Sequence, residues 1–520
     1  MKQYSFLLFF IVFVLQGFSQ DPPRSKFTLY DELPSVEKIL KPEYSEDMLD
    51  WGKMLYQYPV NFNDINTAFA RWETANKGIK NPLIRYYKLW RRHMEPFVDY
   101  DGTIVLPDPA KITENLRRAQ SPEQQRMKAP ADDNGSAWTF WGPKQTFWLN
   151  ESGSSATPKA APWQVNVYSM DVSEANPDVI YVGTETSFVN KSTDRGKTWQ
   201  LLGLKYVFGG GVSAIAVHPL NPDTVYVAAG NTVHRSFDGG ATWVRTSASF
   251  YANRMKLDPT RPSRILASTN NGVYISENRG VSWSRKSFQD SWDIELKPGS
   301  PDTIFALTQT SDNFFRILQS TNDGSSFAEI ATFPTDIPQV SGGLLAVTPK
   351  NPNVMYAVFL SKDANNNGVP YIYKGTFAND TWTWVKRATG KTSALQMDNG
   401  QGYFDLVLEV SPLNENMVYA GTTTLFKSVT GGSSFYAIGG YYGNFSIHPD
   451  IQDMKILSNG DTWVTTDGGM NLSKDNFNLQ SNFFPLNDGL IGSDMWGFDQ
   501  AWNEDIIVGG RYHNGNTAIT

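Results

Sequence analysis

Short apolar runs recur along most of the chain from about residue 163 onward, and tight polar turns separate them. The clearest copy spans residues 207–243. Positions 212–217 alternate small or polar with apolar side chains, and two further apolar runs follow at 224–228 and 232–235. Alternation of this kind between turn residues is typical of short strands. Each unit is therefore predicted to hold three strands, a tight turn and a fourth strand.

An eight-residue turn of the pattern Ser-x-Asp-x-Gly-x-Thr-Trp closes each unit, as at 236–243. Asp238 can accept hydrogen bonds from backbone N–H groups downstream, and Gly240 can take the positive φ that closes a hairpin. Trp243 can then place a large apolar ring between neighbouring sheets. We predict a structural role, not a catalytic one, for the turn residues Ser192, Asp194, Gly196, Trp199, Ser236, Asp238, Gly240, Trp243, Ser276, Asn278, Gly280, Trp283, Ser320, Asn322, Gly324 and Phe327.

The spacing of these turns indicates the architecture. Counted at the Asp position, successive copies lie 40 to 45 residues apart, and one double step of 108 residues implies a unit with an eroded turn near 375–382. A period of about 40–50 residues with four strands per unit is typical of β-propellers, whose blades bury their faces against one another. The predicted fold is mainly β: a β-propeller of seven or more four-stranded blades, preceded by a small α-helical segment.

The turn resembles the bacterial neuraminidase (BNR) repeat, or Asp-box, of exported bacterial propellers related to sortilin and to xyloglucanases. In such families the boxes lie on the rim away from the ligand. The last predicted blade begins near Trp496 and stops after two strands, which would leave an open sheet edge. We therefore expect a fragment of a longer protein. The resemblance implies that the missing part carries a sorting module for type-nine secretion and attachment to the outer surface.

Residues 31–128 follow a helical spacing instead, as at Leu83, Tyr87, Trp90 and Met94. This predicts three to five amphipathic helices. We divide the chain into a signal peptide at 1–20, an N-terminal helical segment at 21–130, a linker and closing strand at 131–162, and an Asp-box propeller at 163–520 that is incomplete at its C-terminal end. Residues 137–148 supply the expected closing strand.

The first twenty residues and the bulk composition bear on location. Lys2, a ten-residue apolar core at 6–15 and small residues near 17–19 form a secretory signal, and the core is too short to span a bilayer. The absence of cysteine excludes disulfides and thiolate metal sites. A net charge of −7 without a basic stripe argues against nucleic-acid binding. We expect a secreted or cell-surface protein without a transmembrane segment.

The sharpest candidates for ligand binding lie toward the C-terminal end of the predicted propeller, between 448 and 513. In an extended segment His448, Asp450 and Gln452 point to one side. The stretch resembles sortilin-like propellers in which a His-x-Asp-x-His run precedes an Asn-Asp-Gly-Gly turn at the central funnel. Gln452 and Thr466 depart from that pattern, which weakens a metal interpretation. The alternative is that His448 ends the first strand, as His218 does earlier. The ligand-binding candidates are His448, Asp450, Asp461, Asp467, Arg511 and His513.

One further motif concerns cofactors. Asp363, Asn365 and Asn367 match the first half of a calcium-binding loop, but its twelfth position is Lys374 and not Glu. A polar hairpin tip is the other interpretation. No cofactor is predicted beyond this possible calcium ion.

Two enzyme families share the repeat. Sialidases have an arginine triad that begins ahead of the first box, whereas residues 137–192 contain no arginine. Xyloglucanases carry a catalytic Asp in Tyr-x-x-x-Asp-x-Gly-Gly. Residues 207–235 resemble the surrounding sequence, but Gly230 stands at the Asp position. Since glycosidases need two carboxylates, no catalytic residue can be named.

These comparisons favour a non-enzymatic propeller that binds or scaffolds a protein or polysaccharide. The alternative is a glycoside hydrolase of xyloglucanase or sialidase type whose carboxylates lie in unrecognised loops. A carboxylate pair about 5–10 Å apart in the funnel would favour the hydrolase. A funnel of Tyr, Asn and Gln would favour binding, and an exposed inner strand edge would favour a peptide-binding ring.

Overall fold

The computed structural model describes residues 41–105, 146–147, 160–161, 163–203, 206–310, 314–333, 340–362, 368–390, 395, 397, 405–493, 495–500, 507–511 and 513–519. The chain divides into two compact units, residues 1–137 and 138–520. The predicted signal peptide at 1–20 and the calcium-loop candidates Asp363, Asn365 and Asn367 lie outside the described residues.

The first unit is helical, as predicted. It contains α1 (Asp50–Lys53), a 3-10 turn (Met54–Tyr56), α2 (Phe62–Ala75), α3 (Pro82–Met94) and a second 3-10 turn (Glu95–Phe97). Asn61 and Asn81 cap α2 and α3, because each side-chain oxygen accepts a hydrogen bond from a backbone N–H three residues on. The aromatic side chains at helical spacing form the core of this unit: Trp51, Phe69, Tyr87 and Trp90 are buried together. No helix in the described ranges has the length and apolar character needed to cross a membrane.

In its described residues, the second unit contains seven four-stranded antiparallel sheets. The first sheet holds β3 (Val167–Val172), β4 (Ile180–Thr184), β5 (Val189–Ser192) and β6 (Gln200–Leu202). The second holds β7 (Val212–Val217), β8 (Val225–Ala229), β9 (Thr232–Ser236) and β10 (Val244–Arg245). The third holds β11 (Ala252–Leu257), β12 (Ile265–Thr269), β13 (Gly272–Ser276) and β14 (Ser284–Arg285). The fourth holds β15 (Asp290–Leu296), β16 (Ile304–Gln309), β17 (Phe315–Ser320) and β18 (Ala328–Thr332).

Three sheets follow. The fifth holds β19 (Val340–Val347), β20 (Val354–Lys362), β21 (Gly368–Ala378) and β22 (Thr381–Thr389). The sixth holds β23 (Val407–Val410), β24 (Val418–Gly421), β25 (Thr424–Ser428) and β26 (Tyr436–Gly440). The seventh holds β27 (Ile451–Ile456), β28 (Thr462–Thr466), β29 (Gly469–Ser473) and β30 (Phe483–Pro485). The fifth sheet is the unit predicted for the double step. A two-residue turn at Asn379-Asp380, both at positive φ, replaces its box.

The first strands of the seven sheets lie side by side in chain order, and β27 lies against β3. Two polar contacts mark this closing junction. The backbone N–H of Met170 donates to Asp453, and Lys455 donates to Asp171. The predicted mainly β propeller of four-stranded blades is confirmed, and the ring closes with seven of them.

The expected closing strand at 137–148 has no such role among the described residues. There, β1 (Thr146–Phe147) pairs only with β2 (Ala160–Ala161), and every strand of the first and seventh sheets comes from within 167–202 or 451–485. The ring closes directly through β27 and β3, so the junction needs no strand from elsewhere. The domain boundaries at 130 and 162 stay a prediction. A three-stranded sheet follows the ring: β31 (Met495–Gln500), β32 (Ile507–Arg511) and β33 (Gly515–Ile519).

Antiparallel strands place alternate loops at opposite ends of each blade. The box face carries the loops between first and second strands and the Asp-box turns between third and fourth strands. The loop face carries the loops between second and third strands, such as 185–188 and 467–468, and the connections between sheets, such as 206–211 and 441–450. On the box face, Trp199 and Trp243 are buried against the sheet that precedes their own. This packing explains why each turn ends in a large ring.

Candidate functional site

Three of the predicted ligand-binding residues meet on the loop face. Asp450 precedes β27, Asp467 follows β28, and His513 lies in the turn between β32 and β33. The Nδ1 atom of His513 is 2.8 Å from Oδ2 of Asp467 and 3.8 Å from Oδ2 of Asp450. The ligand atoms of the three side chains all lie within 4.8 Å of one another. Residues far apart in sequence therefore form one polar cluster.

His448 and Arg511 lie next to this cluster and contact backbone carbonyl oxygens around it. The two ring nitrogens of the buried His448 contact the carbonyl oxygens of Pro449 and His513, at 2.8 and 3.2 Å. Arg511 is also buried and donates to the carbonyl oxygens of Trp163 and Gln164. Both side chains thus bind backbone carbonyl groups, and these contacts fix the turn that carries His513 to the ring. His448 lies at the loop-face end of β27, whereas His218 follows β7 at the box-face end, so the two positions are not equivalent.

Burial strongly perturbs the pKa of Asp467. Its side chain is fully buried, and burial together with the nearby carboxylate of Asp450 raises its pKa to about 7. Gln452 donates a hydrogen bond of 2.8 Å to Oδ1, which partly offsets this effect. Gln452, at the position of the second His in the sortilin-like pattern, therefore orients a carboxylate in this protein.

Asp461 does not belong to the cluster. It precedes β28, at the box face, and Asp467 follows the same strand at the loop face. Its carboxylate pairs with Arg195 of the first Asp-box turn and accepts a hydrogen bond from Asn459. The structure thus places Asp461 in a contact between the first and seventh blades and away from the other five candidates.

The Asp-box turns lie on the box face and share one hydrogen-bond pattern. In the second box, Asp238 accepts from Thr242 N at 2.9 Å, and Ser236 Oγ accepts from Gly240 N at 2.8 Å. The hydrogen bonds from Thr242 hold the pKa of Asp238 at about 2. The amide oxygens of Asn278 and Asn322 accept the equivalent bonds in the third and fourth boxes. The turn therefore needs an acceptor oxygen and not a charge.

A cavity of about 730 Å³ runs along the first strands of the seven sheets. Sequence reasoning missed its charged lining. On the described first strands this lining comprises five carboxylates and three cations: Asp171, Asp293, Glu295, Glu409, Asp453, Arg254, Lys256 and Lys455. The available signal was the repeated pairing of charges two residues apart on strands that are otherwise apolar.

Most of these carboxylates join one blade to the next. Asp171, Asp293 and Asp453 each accept a hydrogen bond from a backbone N–H on the neighbouring first strand. Glu295 pairs with Lys256 at 2.8 Å. These groups are engaged in holding the ring, so they are not free to act on a ligand.

Glu409 differs from the other acids. It is partly buried in the cavity wall, and no hydrogen bond or ion pair joins its carboxylate to a described residue. Burial, with the nearby Glu295, Asp453 and Asp293, raises its pKa to about 8, although the Lys256 ammonium opposes this. At neutral pH this side chain is therefore mostly protonated.

Gly230 occupies the position at which the xyloglucanase motif carries its catalytic Asp. It lies on the loop face at φ +56°, and a Cβ there would come 3.0 Å from the carbonyl oxygen of Gly209. A side chain at this position is disfavoured both by the left-handed backbone and by the close approach of the 209–210 segment. The backbone conformation at this position therefore favours glycine over any other residue.

The loop face also exposes aromatic side chains. Phe188, Tyr251, Phe288, Tyr441 and Tyr442 are each more than a third exposed there, and Tyr441 and Tyr442 are 67% and 50% exposed. Burial, with the carboxylates of Asp450 and Asp405, raises the pKa of Tyr441. Tyr441 and Tyr442 lie on the connection between β26 and β27 that also carries Asp450. On the box face most of the exposed large apolar residues are aliphatic: Leu220, Val281, Leu413, Val429 and Leu479.

No protein-family profile matches the sequence. The chain is 27% identical over 188 residues to a xyloglucanase of Hypocrea jecorina (strain QM6a), a match that covers 33% of this chain and 21% of that protein. It is 24% identical over 327 residues to a xyloglucanase of a Paenibacillus species, over 51% of this chain and 30% of that protein. The chain thus spans less than a third of the length of these curated relatives.

Solved structures show the same architecture. The GH74 xyloglucanase from Xanthomonas campestris superposes with a TM-score of 0.53 at 17% identity, over 67% of this chain and 59% of that one. The GH74 enzyme of Niastella koreensis superposes with a TM-score of 0.52 at 16% identity, over 69% of this chain and 59% of that one. The chain is a β-propeller that shares the fold of GH74 enzymes and is similar in sequence to segments of xyloglucanases.

Proposed function

We propose that this propeller binds a plant-type polysaccharide, xyloglucan or a related β-glucan, on its loop face without cleaving it. The observation that carries the proposal is the exposed pair Tyr441 and Tyr442 on the loop-face connection that also carries Asp450. Tyrosine rings offer an apolar face and a polar hydroxyl. Carboxylates next to them can accept hydrogen bonds from sugar hydroxyls. The likeness to xyloglucanases supports this ligand class.

The loop that carries the two tyrosines is tightly held, which favours binding. The backbone N–H of Phe445 donates to the carbonyl oxygen of Ile438 at 2.9 Å and closes the loop. Gly443 lies at φ +105°, and a Cβ there would meet the Ile438 carbonyl oxygen at 2.3 Å. Because the loop is already ordered, the tyrosines lose little conformational freedom when a ligand binds.

Two observations support binding without hydrolysis. Gly230 removes the carboxylate of the xyloglucanase motif, and its positive φ and the Gly209 carbonyl oxygen disfavour a side chain there. In the cavity, Asp171, Asp293 and Asp453 are bonded to backbone N–H groups. Glycoside hydrolysis requires two carboxylates that flank the bond, whereas Glu409 is the one carboxylate on the described first strands that no hydrogen bond or ion pair joins to a described residue.

Affinity electrophoresis in gels that contain xyloglucan, mannan or no polysaccharide tests the proposal, with reducing-end release assayed on the same samples. We expect xyloglucan to retard the wild type and no reducing ends to appear. The double variant Tyr441→Ala/Tyr442→Ala should migrate as in the empty gel. The control Tyr436→Ala removes a 47% exposed tyrosine at the box-face end of the same sheet and should be retarded like the wild type. Equal retardation of the double variant and the control would contradict the proposal.

A second candidate is a glycoside hydrolase, as the names of the curated relatives suggest. Glu409 is the residue that favours it, because a carboxylic acid with a pKa of about 8 is protonated at neutral pH and could serve as a general acid. If reducing ends appear with the wild type and disappear with Glu409→Gln, the hydrolase is the correct function.

The place of action is proposed from the N-terminal sequence. The predicted signal peptide at 1–20 and the absence of cysteine suit an exported protein that meets polysaccharide outside the cell. Mass spectrometry of the mature N-terminus in the natural host's culture fluid tests this. Cleavage after residue 19 or 20 is expected, and an intact Met1 would contradict export by this signal.

A further inference from the structure

The cluster on the loop face has the composition of a cation site. Asp450, Asp467 and His513 bring two carboxylate oxygens and one imidazole nitrogen to within 4.8 Å of one another. His513 Nδ1 lies 2.8 Å from Asp467 and 3.8 Å from Asp450. Two ligands about 2.1 Å from a tetrahedral zinc ion are about 3.4 Å apart. The observed spacing brackets that value.

A second observation points to a ligand. Asp467 is fully buried, yet its Oδ2 atom, which faces His513, has no aligned hydrogen bond to any described residue. A buried carboxylate oxygen without a hydrogen bond is destabilising, more so when the group is charged. Oδ1 of the same side chain is bonded to Gln452 at 2.8 Å, which fixes the direction in which Oδ2 points. Oδ2 is thus held toward His513 Nδ1, the second proposed ligand atom, 2.8 Å away.

We propose that Asp450, Asp467 and His513 bind one divalent transition-metal ion of the Zn²⁺ type. Zinc accepts mixed carboxylate and imidazole ligands in a tetrahedral arrangement. Calcium is a poorer fit, because it prefers oxygen ligands alone. His513 is exposed, so a fourth position on the solvent side can be filled by water.

The position of this ion gives it a structural role. Two of its ligands flank β27 and β28 of the seventh sheet, and the third belongs to the turn between β32 and β33. That turn is already held by Asn514, which donates to Asn166 and to the carbonyl oxygen of Asp467. The ion would therefore fasten the three-stranded sheet to the loop face.

Calorimetric titration of Zn²⁺ into the full chain tests the proposal, with protein that carries no histidine tag and has been dialysed against a chelator. We expect one site per chain. His513→Ala should weaken binding at least about tenfold, as loss of a ligand should exceed the effect known for its supporting residues. Because His513 is exposed, this variant should fold normally. His93→Ala, which removes an exposed histidine of α3, is the matched control and should bind zinc like the wild type.

Hydrogen–deuterium exchange gives a second readout. In the wild type, zinc should slow the exchange of backbone amides at 513–519. In the His513→Ala variant, zinc should leave the exchange rate of the same amides unchanged. No zinc binding by the wild type would overturn the proposal and would indicate that His513 contacts the two carboxylates directly instead. Equal zinc affinity of the wild type and His513→Ala would overturn it as well.

Discussion

Glu409 offers a sharp test of the charged cavity, because Glu409→Gln removes the carboxylate and keeps the size of the side chain. The folded protein raises the pKa of Glu409 from its ordinary 4.5 to about 8. A carboxyl group whose pKa is raised on folding stabilises the fold below its unfolded pKa. That contribution is lost as the pH rises through the folded value. Wild-type stability should therefore fall between about pH 5 and pH 8.

The pKa difference sets the size of this effect. One pKa unit corresponds to about 1.4 kcal/mol, so Glu409 can lower the free energy of unfolding by at most about 5 kcal/mol as the pH rises. Solvent in the cavity reduces this, and we expect a pH-dependent loss of about 1–3 kcal/mol. Lys256, Glu295, Asp293 and Asp453 face the same cavity and are present in both proteins, so their contribution largely cancels.

Urea unfolding at pH 5.0 and pH 8.5 measures the difference. Glu409→Gln should change the free energy of unfolding little at pH 5.0 and raise it above the wild type at pH 8.5. The control Glu174→Gln, at an exposed position by the cavity mouth, should show no such pH dependence. A difference between Glu409→Gln and wild type that is the same at both pH values would refute the reasoning.

Three further predictions concern the turns and the loop face. Trp243→Ala should lower the free energy of unfolding by about 3 kcal/mol by removing a buried ring between two sheets, whereas Phe237→Ala on the same turn should have little effect. Equal losses in urea unfolding would contradict the packing role. Gly230→Asp should cost about 1–3 kcal/mol through its positive φ and the nearby Gly209 oxygen and should release no reducing ends, so a gain of hydrolysis would contradict the account. Asp238→Asn should be nearly neutral because Asn278 and Asn322 make the same bonds, while Asp238→Ala should cost about 1 kcal/mol; similar melting temperatures for both variants would contradict this.

The sequence pattern predicted the blades because each strand and turn is a local feature. The alternation at 212–217, the spacing of the boxes and the unit expected near 375–382 all correspond to observed sheets. The helical spacing of Trp51, Phe69 and Trp90 likewise corresponds to a packed helical core. Each of these depends on side chains within one unit, which is why a single sequence suffices.

Features that depend on long-range contacts could not be predicted in the same way. Nothing local indicates that β27 would close the ring against β3, or that charges on different first strands would meet in one cavity. Asp461 and Asp467 are six positions apart and were grouped in sequence, but an extended strand separates them by about 20 Å. Arg511 was expected at the ligand and instead holds the backbone of Trp163 and Gln164.

Calorimetric titration of a xyloglucan oligosaccharide into the full chain, followed by chromatography of the recovered sugar, tests the central claim most directly. We predict saturable binding that is at least about tenfold weaker in Tyr441→Ala/Tyr442→Ala, with the oligosaccharide recovered intact; about 1.4 kcal/mol corresponds to that factor. Shortened products, or binding that the double substitution leaves unchanged, would contradict a propeller that binds polysaccharide at Tyr441 and Tyr442 without cleaving it.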